Sequence, residues 1–215
     1  MSEPVENKTS KKISKKAASK KNNSKKRANK KTVAVKRGTP TSNYPRHSVE
    51  KAIRIPKAIL EQNAGKECTD SESAAFVGVK VTGPYGVEVS SSLKYGFLER
   101  TSPGKIKPTE LVKKILRPQS SEDVLSGYQE AVLKAPVISE VYKHFRGENI
   151  PDRVFFENVL TDSYKIPSEK VAEFIDIFIE SLTSAKLIEN NGGKNRILDI
   201  SSEQSKAFVD SSTEI

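Results

Sequence analysis

The sequence predicts a mainly α-helical body carrying small β-hairpin wings, behind a disordered basic tail. Three observations predict it. The chain of 215 residues has a net charge of +10, but residues 1–46 hold 15 Lys+Arg against 2 Asp+Glu and residues 47–215 hold 22 against 25. All eight Phe and every Leu lie beyond residue 46. Beyond that point, helix-start signals alternate with Pro-Gly and Asn-Gly-Gly turns in an order that occurs twice.

Residues 1–46 carry lysines in pairs: Lys11 and Lys12, Lys15 and Lys16, Lys20 and Lys21, Lys25 and Lys26 (with Arg27), Lys30 and Lys31. Short spacers rich in Ser, Ala and Asn separate them. Such a segment buries too little apolar surface to offset its ordering entropy, which predicts a disordered, self-repelling tail. A polycation of this kind neutralises phosphates and releases counterions without reading base sequence. A solubilising tail or a nuclear-import address fits the same composition.

Along residues 47–118, Ser48 to Arg54 predicts a short helix. Pro56 disfavours helix at Ile55 and opens a helix to Asn63, with Gly65 as its stop. Thr69-Asp70-Ser71-Glu72 fits a capping box and opens a short helix through Ala74, Ala75 and Phe76. After a turn from Gly78 to Gly83, Pro84 opens a helix to Tyr95, with Tyr85, Val89, Ser92 and Leu93 on one face. Gly96 ends it. Residues 97–107 read as a hairpin around Thr101-Ser102-Pro103-Gly104, and Thr109 caps a helix to Leu116 that Pro118 terminates.

Residues 119–200 take up a similar order: helices over 120–133, 136–145, 152–164 and 167–186, then a hairpin around Asn190-Asn191-Gly192-Gly193. In the longest helix Val171, Phe174, Ile175, Phe178, Leu182 and Ala185 form one apolar stripe, with Ile177 and Ile179 off it. Those two isoleucines predict either burial on two sides or a strip for a protein partner or a second copy. Residues 201–215 are expected to be a flexible C-terminal tail. Helix, helix, turn, helix, hairpin is the order of the winged variant of helix-turn-helix, so the expected architecture is two tandem modules of that kind.

The sequence carries no enzyme signature and implies no cofactor. Cys68 is the single cysteine, which excludes an internal disulfide framework and a multi-cysteine zinc site. His47 and His144 have no partner pattern for a nucleophile or base, and Gly83-Pro84-Tyr85-Gly86 lacks the Lys-Ser/Thr of a phosphate loop. No apolar run reaches the ~18 residues of a membrane span, and no secretory signal is expected at the N-terminus.

In helix-turn-helix proteins the second helix of the pair enters the major groove. Here Val87, Glu88, Ser91 and Lys94 are expected on its outward face, a set without the Arg or Gln that reads guanine or adenine. The hairpin and next helix are more basic, with Arg100, Lys105, Lys107, Lys113, Lys114 and Arg117. Residues 84–117 hold 7 basic and 3 acidic side chains, whereas residues 118–215 hold 10 and 17. The candidate nucleic-acid contacts are therefore the tail lysines with Arg27, together with Ser91, Lys94, Arg100, Lys105 and Lys107. Ile177 and Ile179 are the candidate protein contacts.

Four motifs carry a resemblance: Arg46-His47-Ser48-Val49-Glu50-Lys51-Ala52, Ile59-Leu60-Glu61-Gln62-Asn63-Ala64-Gly65, Leu93-Lys94-Tyr95-Gly96-Phe97-Leu98, and Tyr142-Lys143-His144-Phe145-Arg146-Gly147-Glu148-Asn149. With the Lys-rich N-terminus they resemble a bacterial family described as a domain of unknown function. Over about residues 46–200 the resemblance implies a tandem winged-helix fold and no established activity. A lysine-rich tail beside a winged helix is also similar, by analogy of fold and composition alone, to linker histones. The expected function is a non-enzymatic nucleic-acid-associated protein, with duplex DNA on the tail and first module and a protein or second copy on the second. The alternatives are a protein-interaction adaptor and a sequence-specific transcription regulator. The expected place is the cytoplasm, on the nucleoid, or a nucleus if the source is eukaryotic.

Overall fold

The computed structural model describes residues 42–200, so the expectations for residues 1–41 and 201–215 lie outside the described residues. The described residues are mainly helical, with eight α-helices and two small antiparallel sheets, and no helix among them is long and apolar enough to cross a membrane.

A 3-10 turn at Lys51–Ile53 runs straight into α1, Arg54–Gln62. Ile55 is therefore helical, although Pro56 disfavours helix there. Pro56 sits in the first turn, where its missing N–H is one that has no intrahelical partner in any helix. β1, Cys68–Thr69, pairs Cys68 with Ile106 across an antiparallel ladder. A two-residue strand has no alternation for a sequence pattern to show. The expected capping box forms: Thr69 Oγ1 accepts the Glu72 N–H at 3.2 Å and Glu72 Oε2 accepts the Thr69 N–H at 2.7 Å, opening α2, Asp70–Phe76.

α3, Gly83–Lys94, ends where Gly96 takes φ +74° and the Phe97 N–H returns to the Ser92 carbonyl at 2.9 Å. That left-handed stop turns the chain into β2, Leu98–Ser102, and β3, Lys105–Pro108, in the sheet order β1-β3-β2. α4, Glu110–Leu116, and α5, Ser121–Lys134, then pack so closely that a Cβ at Gly127 would overlap the Ile115 side chain.

The second half repeats this order. α6 is Ile138–Phe145, α7 Arg153–Asp162 and α8 Ser168–Ser184, followed by β4, Ile188–Asn191, and β5, Lys194–Ile197. Gly192 and Gly193 have φ +62° and +81°, as a two-residue hairpin turn with both central residues left-handed requires. Between α6 and α7 the backbone lies along β5: the Ile197 N–H donates to the Glu148 carbonyl at 2.9 Å and the Ile150 N–H to the Asn195 carbonyl at 2.8 Å. Helix, strand-like segment, helix, helix, hairpin therefore occurs twice, each time with the segment paired to the second hairpin strand. At the end of α8 Lys186 takes the place of Gly96, with φ +51° and the Leu187 N–H on the Leu182 carbonyl at 2.8 Å.

Two clusters of buried side chains hold the described residues together. The smaller unites α1, α2, α3 and the first sheet through Ile55, Ile59, Tyr85, Val89, Leu98 and Ile106. The larger runs from Tyr44 to Ile197 and contains Tyr95, Phe97, Ile138, Phe156, Phe174, Phe178 and Leu182. The apolar stripe of α8 lies in it. So does Ile177, at 6% exposure, with the half-buried Ile179 packed against it. The strip of isoleucines is a second packing face of α8, because α8 is covered on two sides.

Candidate nucleic-acid interface

The residues that enter the body form a strap between α3 and α8. Tyr44 stacks edge-on against Phe174 at 5.0 Å between ring centres, and Arg46 donates through Nε and Nη2 to Glu173 Oε1, both at 3.1 Å. Two buried serines hold the backbone of the strap. Ser91 Oγ on α3 accepts the Arg46 N–H at 3.0 Å, and Ser181 Oγ on α8 accepts the Val49 N–H at 3.2 Å. Tyr95 completes the junction: its hydroxyl donates to the His47 carbonyl at 3.0 Å and lies 2.9 Å from Ser181 Oγ. Burial drives the Tyr95 phenol far above its ordinary range.

This strap alters what α3 presents. Ser91 and Glu88, expected to face outward, are buried. Glu88 accepts from Arg54 Nε at 2.7 Å and Arg54 Nη2 at 2.6 Å, a two-pronged pair that a carboxylate needs when only 9% of its side chain is exposed. Amphipathic spacing within α3 suggested outward positions for both, but the segment that covers them lies about 40 residues upstream, beyond any local pattern. Val87 and Lys94 are half-buried, and the Lys94 amine donates to Ser90 Oγ at 2.7 Å. Burial lowers the Lys94 ammonium below its ordinary value.

The basic side chains of the hairpin stay at the surface, and each has an acidic neighbour. Arg100 donates to both carboxylate oxygens of Asp70 at 3.2 and 3.1 Å, Lys105 to Glu67 at 2.7 Å, and Lys107 lies 4.0 Å from Glu99. Lys113 donates to Glu110 at 2.6 Å, and Arg117 to the Leu60 carbonyl at 3.2 Å. The net basic balance read along residues 84–117 is thus offset by acids at positions 67 and 70, contributed by the preceding loop and α2. Of the candidate contacts, the structure groups Arg100, Lys105 and Lys107 on one hairpin and separates them from Ser91. The tail lysines and Arg27 lie outside the described residues.

The strap also lines an open groove of about 680 Å³. Lys51, Arg54 and Lys57 follow one another along one helical face of it, with Ile53, Leu116 and Tyr128 as apolar lining and His47, Glu50 and Glu88 as its other polar groups. His47 Nδ1 lies 2.6 Å from the Arg46 carbonyl, so it carries the proton there and leaves Nε2 as an acceptor. Burial first, with Lys51 and Arg46 in support and Glu88 opposed, lowers the His47 pKa and favours this neutral ring. Sequence reading did not single out Lys51, Arg54, Lys57 or Tyr128. The three-residue spacing of the cations was a legible signal, whereas the approach of Tyr128 from α5 was not.

Cys68 is buried and its thiol pushed up, chiefly by burial, away from the reactive thiolate. His144 Nδ1 lies 2.9 Å from the Tyr164 hydroxyl on the surface. Among the described residues no three His, Cys, Asp or Glu side chains cluster to hold a metal ion. No protein-family model, curated protein or solved structure matches this chain.

Proposed function

We propose that this protein is a non-enzymatic nucleic-acid-associated protein with a tandem winged-helix body. The twice-repeated order of helix, short strand, helix, helix and hairpin supports the winged-helix reading, as does the pairing of the short strand with the second hairpin strand each time. The carrying observation is the strap. Glu88 and Ser91 of α3 are taken up internally by Arg54 and Arg46, so the helix that such proteins lay in a major groove has no base-reading set here. Sequence-specific regulation is thereby disfavoured. Phosphate affinity falls to residues 1–46, with Arg100, Lys105 and Lys107 as exchangeable backbone contacts, since exposed ion pairs are worth only about 0–1 kcal/mol. This reading places the protein on the nucleic acid of its compartment, the nucleoid in a bacterium.

The test is duplex DNA binding by the full chain across a salt series, against a full-length variant with the paired lysines of 11–31 changed to Gln. If about eight lysines engage, log affinity falls with log salt at a slope near −7, and the variant loses most of that slope. Equal affinity and slope for the two chains overturn the reading.

A second reading, a protein-interaction adaptor, has its own observation. Val154 and Phe155 at the start of α7 are each 66% exposed, an adjacent apolar pair facing water. Loss of a co-purifying protein on Phe155→Ser, with DNA binding unchanged, favours that reading.

A further inference from the structure

The groove beneath the strap has a chemistry that the tail does not. Lys51 and Lys57 supply positive charge, beside an Arg54 already held by Glu88, and Tyr128 supplies a half-buried ring. We infer that this groove takes a short stretch of single-stranded nucleic acid, with phosphates on the cation edge and a base against Tyr128. The inference rests on the nucleic-acid reading above and assigns the body a contact of its own.

Four observations carry it. A cationic track beside an aromatic face is how single strands are held, since every base has a face to stack whereas a duplex has already stacked its bases. The groove, about 680 Å³, has the size of a small-ligand site, suited to an unpaired base and unsuited to a double helix. The cations are exchangeable: Lys51 is 65% exposed in its pair with Glu180, and Lys57 is 57% exposed and 4.0 Å from Glu61. The other polar groups of the lining include acceptors, the His47 Nε2 and the Glu50 carboxylate, which suit the amino N–H groups of bases.

The test uses the full chain, a labelled single-stranded oligonucleotide, the duplex of the same sequence, and a salt series. Tyr128→Leu is expected to weaken single-strand binding roughly ten- to hundredfold and leave duplex binding unchanged. Tyr128→Phe keeps the ring and is expected to bind as the parent does. Lys51→Gln with Lys57→Gln, both exposed positions, lowers the single-strand salt slope by roughly 1.4. The inference is overturned if the leucine variant and the lysine pair leave single-strand affinity and slope unchanged. It is overturned equally if Tyr128→Leu weakens duplex and single strand alike, or if Tyr128→Phe loses as much as Tyr128→Leu. The variant with the lysines of 11–31 changed to Gln separates the two readings. If it alone abolishes binding, the tail reading stands without the groove. If it binds duplex as the parent does while Tyr128→Leu still weakens single-strand binding, the groove stands without the tail.

Discussion

Ser91 on α3 and Ser181 on α8 hold the same strap, one accepting the N–H of Arg46 and the other that of Val49. They are equivalent positions. Ser91 stands five residues before the left-handed Gly96, and Ser181 five before the left-handed Lys186. The third helices of the two repeats therefore turn matching faces to one segment, and that segment withdraws both faces from solvent.

The two serines are unequal in energy. Ser181 is fully buried and serves both the Val49 N–H and the Tyr95 hydroxyl, so Ser181→Ala strands buried polar groups and costs about 1–3 kcal/mol. Ser91→Ala frees an N–H on the half-buried Arg46 and costs less. Urea midpoints of the two variants check the order, and equal losses contradict it.

Ser48, on the same strap, is the opposite case. Among the described residues its hydroxyl is a buried polar group without a hydrogen-bond partner, at 1% exposure. Ser48→Ala removes an unmet desolvation cost and is expected to raise stability by about 1 kcal/mol. A lowered melting temperature would contradict this.

Arg54 and Glu88 differ in what each leaves behind. Arg54→Ala leaves a carboxylate 9% exposed without its partner and is expected to cost about 2 kcal/mol, less than a fully buried pair because half of Arg54 faces water. Adding Glu88→Leu to Arg54→Ala recovers part of that loss. A double variant less stable than Arg54→Ala counts against the pair.

Stability should fall in two steps on acidification. The folded state holds the His47 pKa below its ordinary 6.5, chiefly by burial, so its contribution is complete above pH 6.5 and is lost as pH falls towards the folded value. His47→Gln removes this limb. The second limb lies at and below about pH 4.5, where carboxylates held low take up protons. For Glu173, burial raises the pKa but the hydrogen bonds from Lys170 and Arg46 outweigh it; Glu72 is held low by the Thr69 backbone N–H and Asp123 by those of Gln119 and Ser120. Denaturation midpoints across pH check both limbs.

The two helix stops make a reciprocal pair. Lys186 holds φ +51°, a conformation that costs a side-chain-bearing residue about 1 kcal/mol, so Lys186→Gly is expected to stabilise by up to that amount. Gly96→Ala meets φ +74° and the Lys134 side chain at 3.2 Å, and is expected to destabilise by about 1–2 kcal/mol. Thermal unfolding of both variants tests the pair.

Much of the local structure was legible because it rests on residues close in sequence. The Thr69 to Glu72 capping box, the Gly96 stop, the Gly192-Gly193 turn and the stripe from Val171 to Ala185 each depend on spacing alone. The charge division between residues 1–46 and the body is equally a property of sequence, and on it the polycation proposal rests. Tertiary structure decided the rest, because the deciding partners come from elsewhere in the chain. Glu88 and Ser91 point inward only because residues 46–54 lie over them. Arg100 and Lys105 are paired only because Asp70 and Glu67 come alongside, and Ile177 is buried only because α8 is enclosed on two sides. A helical pattern specifies which side chains share a face; what covers that face is set by long-range packing.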